Sequence, residues 1–183
     1  MKKAIGLLIV AMFGFMFVPA NYAEESNKYI LAKPDNSIKG LPNFAKVSDD
    51  LYRGAQPTRE GFKRLKEMGI RTIVSLRAFH SDKEMIKGLG FNYVNISFKT
   101  WHPEEEDVVK FLREVTKKEN QPVFVHCLHG ADRTGMMTAI YRIYVQGWPI
   151  DEAMKELPNF GFHEVWSNIR EYLSKFEKDK IKL

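Results

Sequence analysis

Only one cysteine, Cys127, occurs among the 183 residues. A disulfide within the chain is therefore excluded, and so is a cysteine-built metal site. No repeat and no low-complexity tract is present, which excludes solenoids and disordered arrays. Neither sign of charge dominates, with 28 Lys+Arg against 23 Asp+Glu. That balance gives no reason to expect a nucleic-acid partner.

Long apolar runs are lacking as well, apart from Ala4 to Val18 at the start. That run is shorter than the roughly 20 residues a membrane span needs. Lys2 and Lys3 precede it, and the small residues Ala20 and Ala23 follow. The pattern predicts a secretory signal peptide over 1–23, with an uncleaved anchor as the alternative. No cysteine lies near the cleavage region, so lipoprotein processing is excluded. An exported chain, periplasmic or secreted, is expected, with no membrane span once the signal is removed. Removing 1–23 takes two lysines and leaves 26 basic against 23 acidic residues. About 160 residues remain, enough for one domain with a core of its own. A lone thiol is a liability in an oxidising compartment, so its surroundings matter.

Those surroundings are the stretch 126–135, HCLHGADRTG. The β-branched and aromatic run 122–125, PVFV, precedes it and predicts a buried strand. Met136, Met137, Ala139, Ile140, Ile143 and Tyr144 follow at helical spacing, up to a possible cap at Gly147. A strand, a tight loop and a helix N-terminus suit an anion. Backbone N–H groups of Leu128, His129, Gly130, Ala131, Asp132 and Arg133 can curl round an oxyanion, aided by the helix dipole. The same field favours the reactive thiolate of Cys127. Arg133 can hold two oxygens in its planar fork. Gly130 allows close backbone approach. The Thr134 hydroxyl is expected to hydrogen-bond the sulfur.

His126-Cys127-x5-Arg133-Thr134-Gly135 resembles the signature loop of the cysteine-dependent phosphatases, the tyrosine and dual-specificity superfamily. The resemblance implies a phosphocysteine intermediate on Cys127, phosphoryl binding by Arg133, a phosphorylated substrate, and no metal or other cofactor. The single cysteine weighs against a thiol-relay arsenate reductase. The Thr-Gly after Arg133 and the loop length fit a rhodanese-like sulfur transferase less well. A catalytically silent phosphate-binding module is the further alternative.

Elsewhere the chain alternates helix and strand. Residues 24–46 are polar, carry Pro34, Gly40 and Pro42, and are expected to be an extended lead-in to a phosphatase domain over 47–183. Leu51 to Gly54 is a short strand, and Thr58 an N-cap for a helix bearing Phe62, Leu65 and Met68, closed by Gly69. Residues 70–76 are a strand. Ser81 to Glu84 fits a capping box, and 91–98 alternates as a strand. Pro103 and the acidic residues after it predict a helix start, with Val108, Phe111, Leu112 and Val115 on one face. A short helix over 151–157 and a last amphipathic helix around Val165 to Phe176 follow. The fold class is α/β, one domain with a central, largely parallel sheet flanked by helices. Tyr-Arg-x-x-Gln-Pro, at 52–57, and the element order resemble the atypical dual-specificity phosphatases over roughly 47–173. Arg53 is expected in a structural ion pair.

The resembled family uses an aspartate on a movable loop as general acid, about thirty residues before the cysteine. Residues 92–97 contain no carboxylate here. Trp101-His102-Pro103-Glu104 resembles the family's Trp-Pro-Asp loop with one extra residue and Glu for Asp, so Glu104 is one candidate. Asp132, before Arg133, is the other and is favoured, since its place does not depend on loop closure. Its pairing with Arg133 resembles myotubularins, Sac-type phosphoinositide phosphatases and some secreted bacterial phosphatases. The alternatives are a helix-start carboxylate for Glu104 and a loop-stabilising acceptor for Asp132. His102 is a weaker third choice, and His129 lies at the rim. Phosphotyrosine or other protein phosphoesters are the expected substrates, with inositol phosphates or phosphoinositides as runner-up. The absence of lysine from the loop speaks mildly against a very highly charged substrate.

Overall fold

Four consecutive buried residues, Val123–His126, form the middle strand of a five-stranded sheet. A continuous apolar run suits that place, because both faces of a central parallel strand are covered. The computed structural model describes residues 28–183. In chain order the strands are β1 (Ala45–Lys46), β2 (Leu51–Gly54), β3 (Thr72–Ser75), β4 (Asn92–Asn95) and β5 (Val123–His126). They lie in the order β1-β2-β5-β3-β4. Only the β1–β2 pair is antiparallel.

Alternation along β3 and β5 divides the core between two faces. Ile73 and Phe124 point to one face, with Phe62 and Leu65 of helix α1 (Arg59–Glu67), Ile86 of α2 (Lys83–Ile86), Leu41 and Phe44. Val74, Val123 and Val125 point to the other. There they meet α3 (Glu105–Thr116), α4 (Asp132–Tyr144), α5 (Ile150–Met154) and α6 (Ser167–Ser174). Each fully buried Phe or Val side chain is worth about 1.5–3 kcal/mol relative to exposure. Thr58 caps α1 as expected, its hydroxyl accepting from Gly61 N at 3.2 Å.

Several expectations are revised. Part of the lead-in belongs to the folded unit that spans Leu31–Leu183. Leu41, Phe44 and Ala45 are buried, and Ala45–Lys46 pairs with β2. Two prolines and one glycine mask the apolar residues of that segment in the sequence. The strand over 91–98 shrinks to β4, because it is an edge with Asn92 and Asn95 exposed. Beyond it the chain turns tightly, Phe98 N donating to Ile96 O at 2.7 Å. The capping box at Ser81 to Glu84 does not form. Asp82 is the N-cap of α2 and makes no side-chain cap bond. The helix expected over 151–157 divides into α5 and a 3₁₀ turn, Leu157–Phe160. The signal peptide expected over 1–23 lies outside the described residues.

Candidate active site

β5 ends at His126, level with Gly54 of β2 and Ser75 of β3. Cys127 therefore emerges at the carboxyl ends of three parallel strands, where open α/β sheets leave a crevice. The residue is 3% exposed. Gly130 N donates to Cys127 Sγ at 3.2 Å. The loop then enters α4, whose first residue is Asp132.

The loop owes its shape to groups outside it. Four successive carbonyls are each met by such a group. The His126 Nδ1 lies 3.1 Å from Cys127 O. Gln56 N donates to Leu128 O at 3.1 Å. Asn43 Nδ2 donates to His129 O at 3.0 Å, and Arg53 Nη2 to Gly130 O at 2.8 Å. A trans peptide sets N–H opposite C=O. The N–H groups of residues 128 to 131 therefore face the middle of the loop. This is a concave nest of donors at a helix N-terminus, beside a sulfur. Gly130 has φ +71°, and a Cβ there would lie 2.6 Å from Ala55 N, so the close approach requires glycine.

The remaining site residues divide between anchored and open. Arg133 is half-buried, with Nη1 donating to Leu76 O at 3.3 Å. That anchor places its guanidinium at the end of β3. Leu128 and His129 are exposed, and Ala131 is buried. Asp132 accepts from His163 N at 2.8 Å, and its Oδ2 lies 3.0 Å from His163 Nδ1. Glu104 is the N-cap of α3, open to solvent, 3.8 Å from His102 Nε2. Thr134 departs from expectation. Its hydroxyl is buried with no hydrogen-bond partner among the described residues, and the sulfur takes the Gly130 N–H instead.

Two buried networks behind the loop were not foreseen as a whole. Asp82 Oδ2 lies 3.1 Å from His126 Nε2, while Oδ1 accepts from Gln56 Nε2 at 2.7 Å. Burial by itself would raise the Asp82 carboxyl. The His126 hydrogen bond and charge, with Gln56 and His80, outweigh it and hold the group at about 2. The second network joins Arg53, Glu156 and Arg142. Arg53 was expected in an ion pair, and it makes one with Glu156 at 3.5 Å. No spacing in the sequence marks Asp82, Glu156 or His163, which reach the site from distant segments.

Comparison with known proteins gives one family. The model described as "DSP-PTPase phosphatase fused to NAD+ kinase" matches residues 36–167. The dual specificity protein phosphatase TpbA of Pseudomonas aeruginosa is 31% identical over 121 residues, 66% of this chain and 55% of the relative. Inositol diphosphatase DSP5 of Arabidopsis thaliana is 30% identical over 123 residues, 63% of this chain and 60% of the relative. The match thus spans little more than half the length of these curated relatives. Among solved structures, TpbA superposes with a TM-score of 0.73 at 26% identity, covering 85% of this chain and 96% of that one. A Cys→Ser variant of TpbA has been solved with phosphotyrosine, again at a TM-score of 0.73 and 26% identity, covering 85% of this chain and 95% of that one.

Proposed function

This chain belongs to the dual-specificity branch of the cysteine-dependent phosphatases, and on that premise we propose that it is an exported phosphomonoesterase working through a phosphocysteine on Cys127. The observation that carries the reading is the set of four outward carbonyls at 127–130, which turns their N–H partners toward one point beside the sulfur. Such a nest binds the phosphoryl oxygens and stabilises charge that develops on them. Arg133 closes it from the β3 side.

In the first step the thiolate attacks phosphorus. The S–P bond forms while the P–O bond to the leaving group breaks, and the leaving oxygen takes a proton from a carboxylic acid. Water then attacks phosphorus, the S–P bond breaks, and inorganic phosphate leaves. The water's proton returns to the acid, and the thiolate is restored. Among the described residues, no group of three or more His, Cys, Asp or Glu side chains is placed to hold a metal ion.

The substrate we propose is phosphotyrosine in a protein. The TpbA complex with phosphotyrosine supports this, as does the open, partly apolar rim at Leu128 and His129. A second reading, an inositol diphosphate, draws on relatives named inositol diphosphatases. A panel of phosphotyrosine peptide, phosphoserine peptide, an inositol pyrophosphate and inositol hexakisphosphate tests both. We expect turnover of the phosphotyrosine peptide in EDTA. Cys127→Ser should abolish turnover yet keep vanadate binding by calorimetry. Turnover of the inositol pyrophosphate alone would favour the second reading, and an active Cys127→Ser would end the mechanism. Export is proposed from the signal pattern at 1–23. Mass spectrometry of protein from the native host should find a shortened chain outside the cytoplasm, and a full-length cytoplasmic chain would refute it.

A further inference from the structure

Beneath the loop lies a charge cluster that is sealed from water. The side chains of Arg53, Glu156 and Arg142 are 1%, 3% and 4% exposed. Arg142 Nη2 meets Glu156 Oε2 at 2.7 Å, and Arg53 Nη1 meets Glu156 Oε1 at 3.5 Å. Two guanidinium groups therefore share one carboxylate. Arg142 also donates to Val47 O and Gln146 Oε1. Aromatic faces complete the shells, with Phe160 3.5 Å from the Arg53 guanidinium and Trp148 4.2 Å from that of Arg142. Neither face supplies a full negative charge.

A buried cation without a full counter-charge is costly, and the cost falls when an anion forms nearby. Among the described residues Cys127 is the only thiol, and Arg53 reaches the same loop, donating to Gly130 O at 2.8 Å. The other ionisable side chains around the loop have partners of their own: Arg77 donates to Gln56 Oε1 at 2.7 Å, and His80 lies 3.2 Å from Asp82. His126 of β5 is paired with Asp82, and Asp132 at the head of α4 with His163. Arg133 is tied toward Leu76 O.

We propose that Arg53 is a positioning residue whose buried cluster lacks one anion, and that the Cys127 thiolate supplies it. Arg53 then does two things for the reaction. Its charge favours the thiolate, and its hydrogen bond keeps the Gly130 carbonyl out of the phosphoryl site. Burial pulls Arg53 down to about 10, opposed by Glu156 and by Cys127, so it keeps its charge at neutral pH. This rests on the phosphocysteine reading, in which the thiolate is the working form.

The test uses the full chain and its single thiol. Iodoacetamide alkylation is followed against pH in wild type, Arg53→Met, Arg53→Lys and Glu156→Gln, with circular dichroism to establish folding. Removing the cation should move the alkylation midpoint up by about one pH unit. Removing the carboxylate leaves two cations and should move it down. Arg53→Lys keeps the charge and should return the midpoint to within a few tenths of wild type. Opposite shifts support the proposal. Folded variants with unmoved midpoints, or midpoints moving the same way, would overturn it, because a merely structural ion pair changes stability without that sign reversal. Should Arg53→Met not fold, the direction in Glu156→Gln decides alone. Iodoacetamide needs no phosphate ester, so the result stands apart from any failure on the substrate panel.

Discussion

Both oxygens of the Asp132 carboxylate are engaged. Oδ1 accepts from His163 N at 2.8 Å and lies 3.1 Å from Nδ1, and Oδ2 lies 3.0 Å from the same Nδ1. A carboxylate whose two oxygens both meet one neighbouring residue is held in place by that contact. Its geometry suits a strut between the loop and the segment before α6. Among the described residues the Glu104 carboxylate has no such engagement, and His102 lies 3.8 Å from it. A general acid speeds departure of a poor leaving group far more than a good one, commonly by 10²–10⁴-fold. Glu104→Gln should therefore lose activity mainly on an alkyl phosphate, and little on an activated aryl phosphate. Asp132→Asn should lose both about equally, through a displaced Arg133. Parallel kinetics on the two substrates check this, and an alkyl-selective loss in Asp132→Asn would return the acid role to that residue.

At the scale of elements, the loop works because it presses against the end of β2. Gly130 sits where a Cβ would fall 2.6 Å from Ala55 N and from Gly54 C. Gly147 has a similar φ of +70° but nothing within 4 Å of its Cβ position. The two glycines separate backbone strain from close approach. Gly147→Ala should cost about 1–2 kcal/mol of stability and leave phosphate binding alone. Gly130→Ala adds a clash with backbone, so the loop must lift, and vanadate affinity should fall at least tenfold. Calorimetry on both variants measures the difference, and equal affinities would show that β2 does not press on the loop. The strand, loop and helix around Cys127 were legible in sequence because their signals are local: a Val-Phe-Val run, a glycine, and helical spacing. The supports were not legible, since Asp82–His126 and Arg53–Glu156 join residues far apart in the chain. Ser81 to Glu84 shows the same limit from the other side. The capping pattern is present, yet Asp82 turns its carboxylate to a buried histidine instead of α2's own N–H groups.

For the molecule as a whole, Asp82 is a fully buried acid that ties distant parts together. It takes hydrogen bonds from Gln56, beyond β2, and faces His126 on β5, while Tyr93 on β4 accepts its backbone N–H at 3.1 Å. Its folded-state carboxyl, at about 2, lies below the ordinary value of 3.8. The charged form is thus favoured by folding, and the associated stability is present in full above the ordinary value. It drains away as pH falls through about 2, where folded and unfolded states both bind the proton. The difference between the two values corresponds to about 2 kcal/mol. Asp82→Asn keeps the shape of the side chain and removes the titration. Denaturant unfolding of both proteins at pH 5 and pH 2 isolates this one group, because every other carboxylate titrates alike in the two. Wild type should be the more stable at pH 5, and its advantage should shrink by about 2 kcal/mol at pH 2. An advantage that stays constant over that interval would mean that the Asp82–His126 contact holds the sheet by its shape, with its charge contributing nothing.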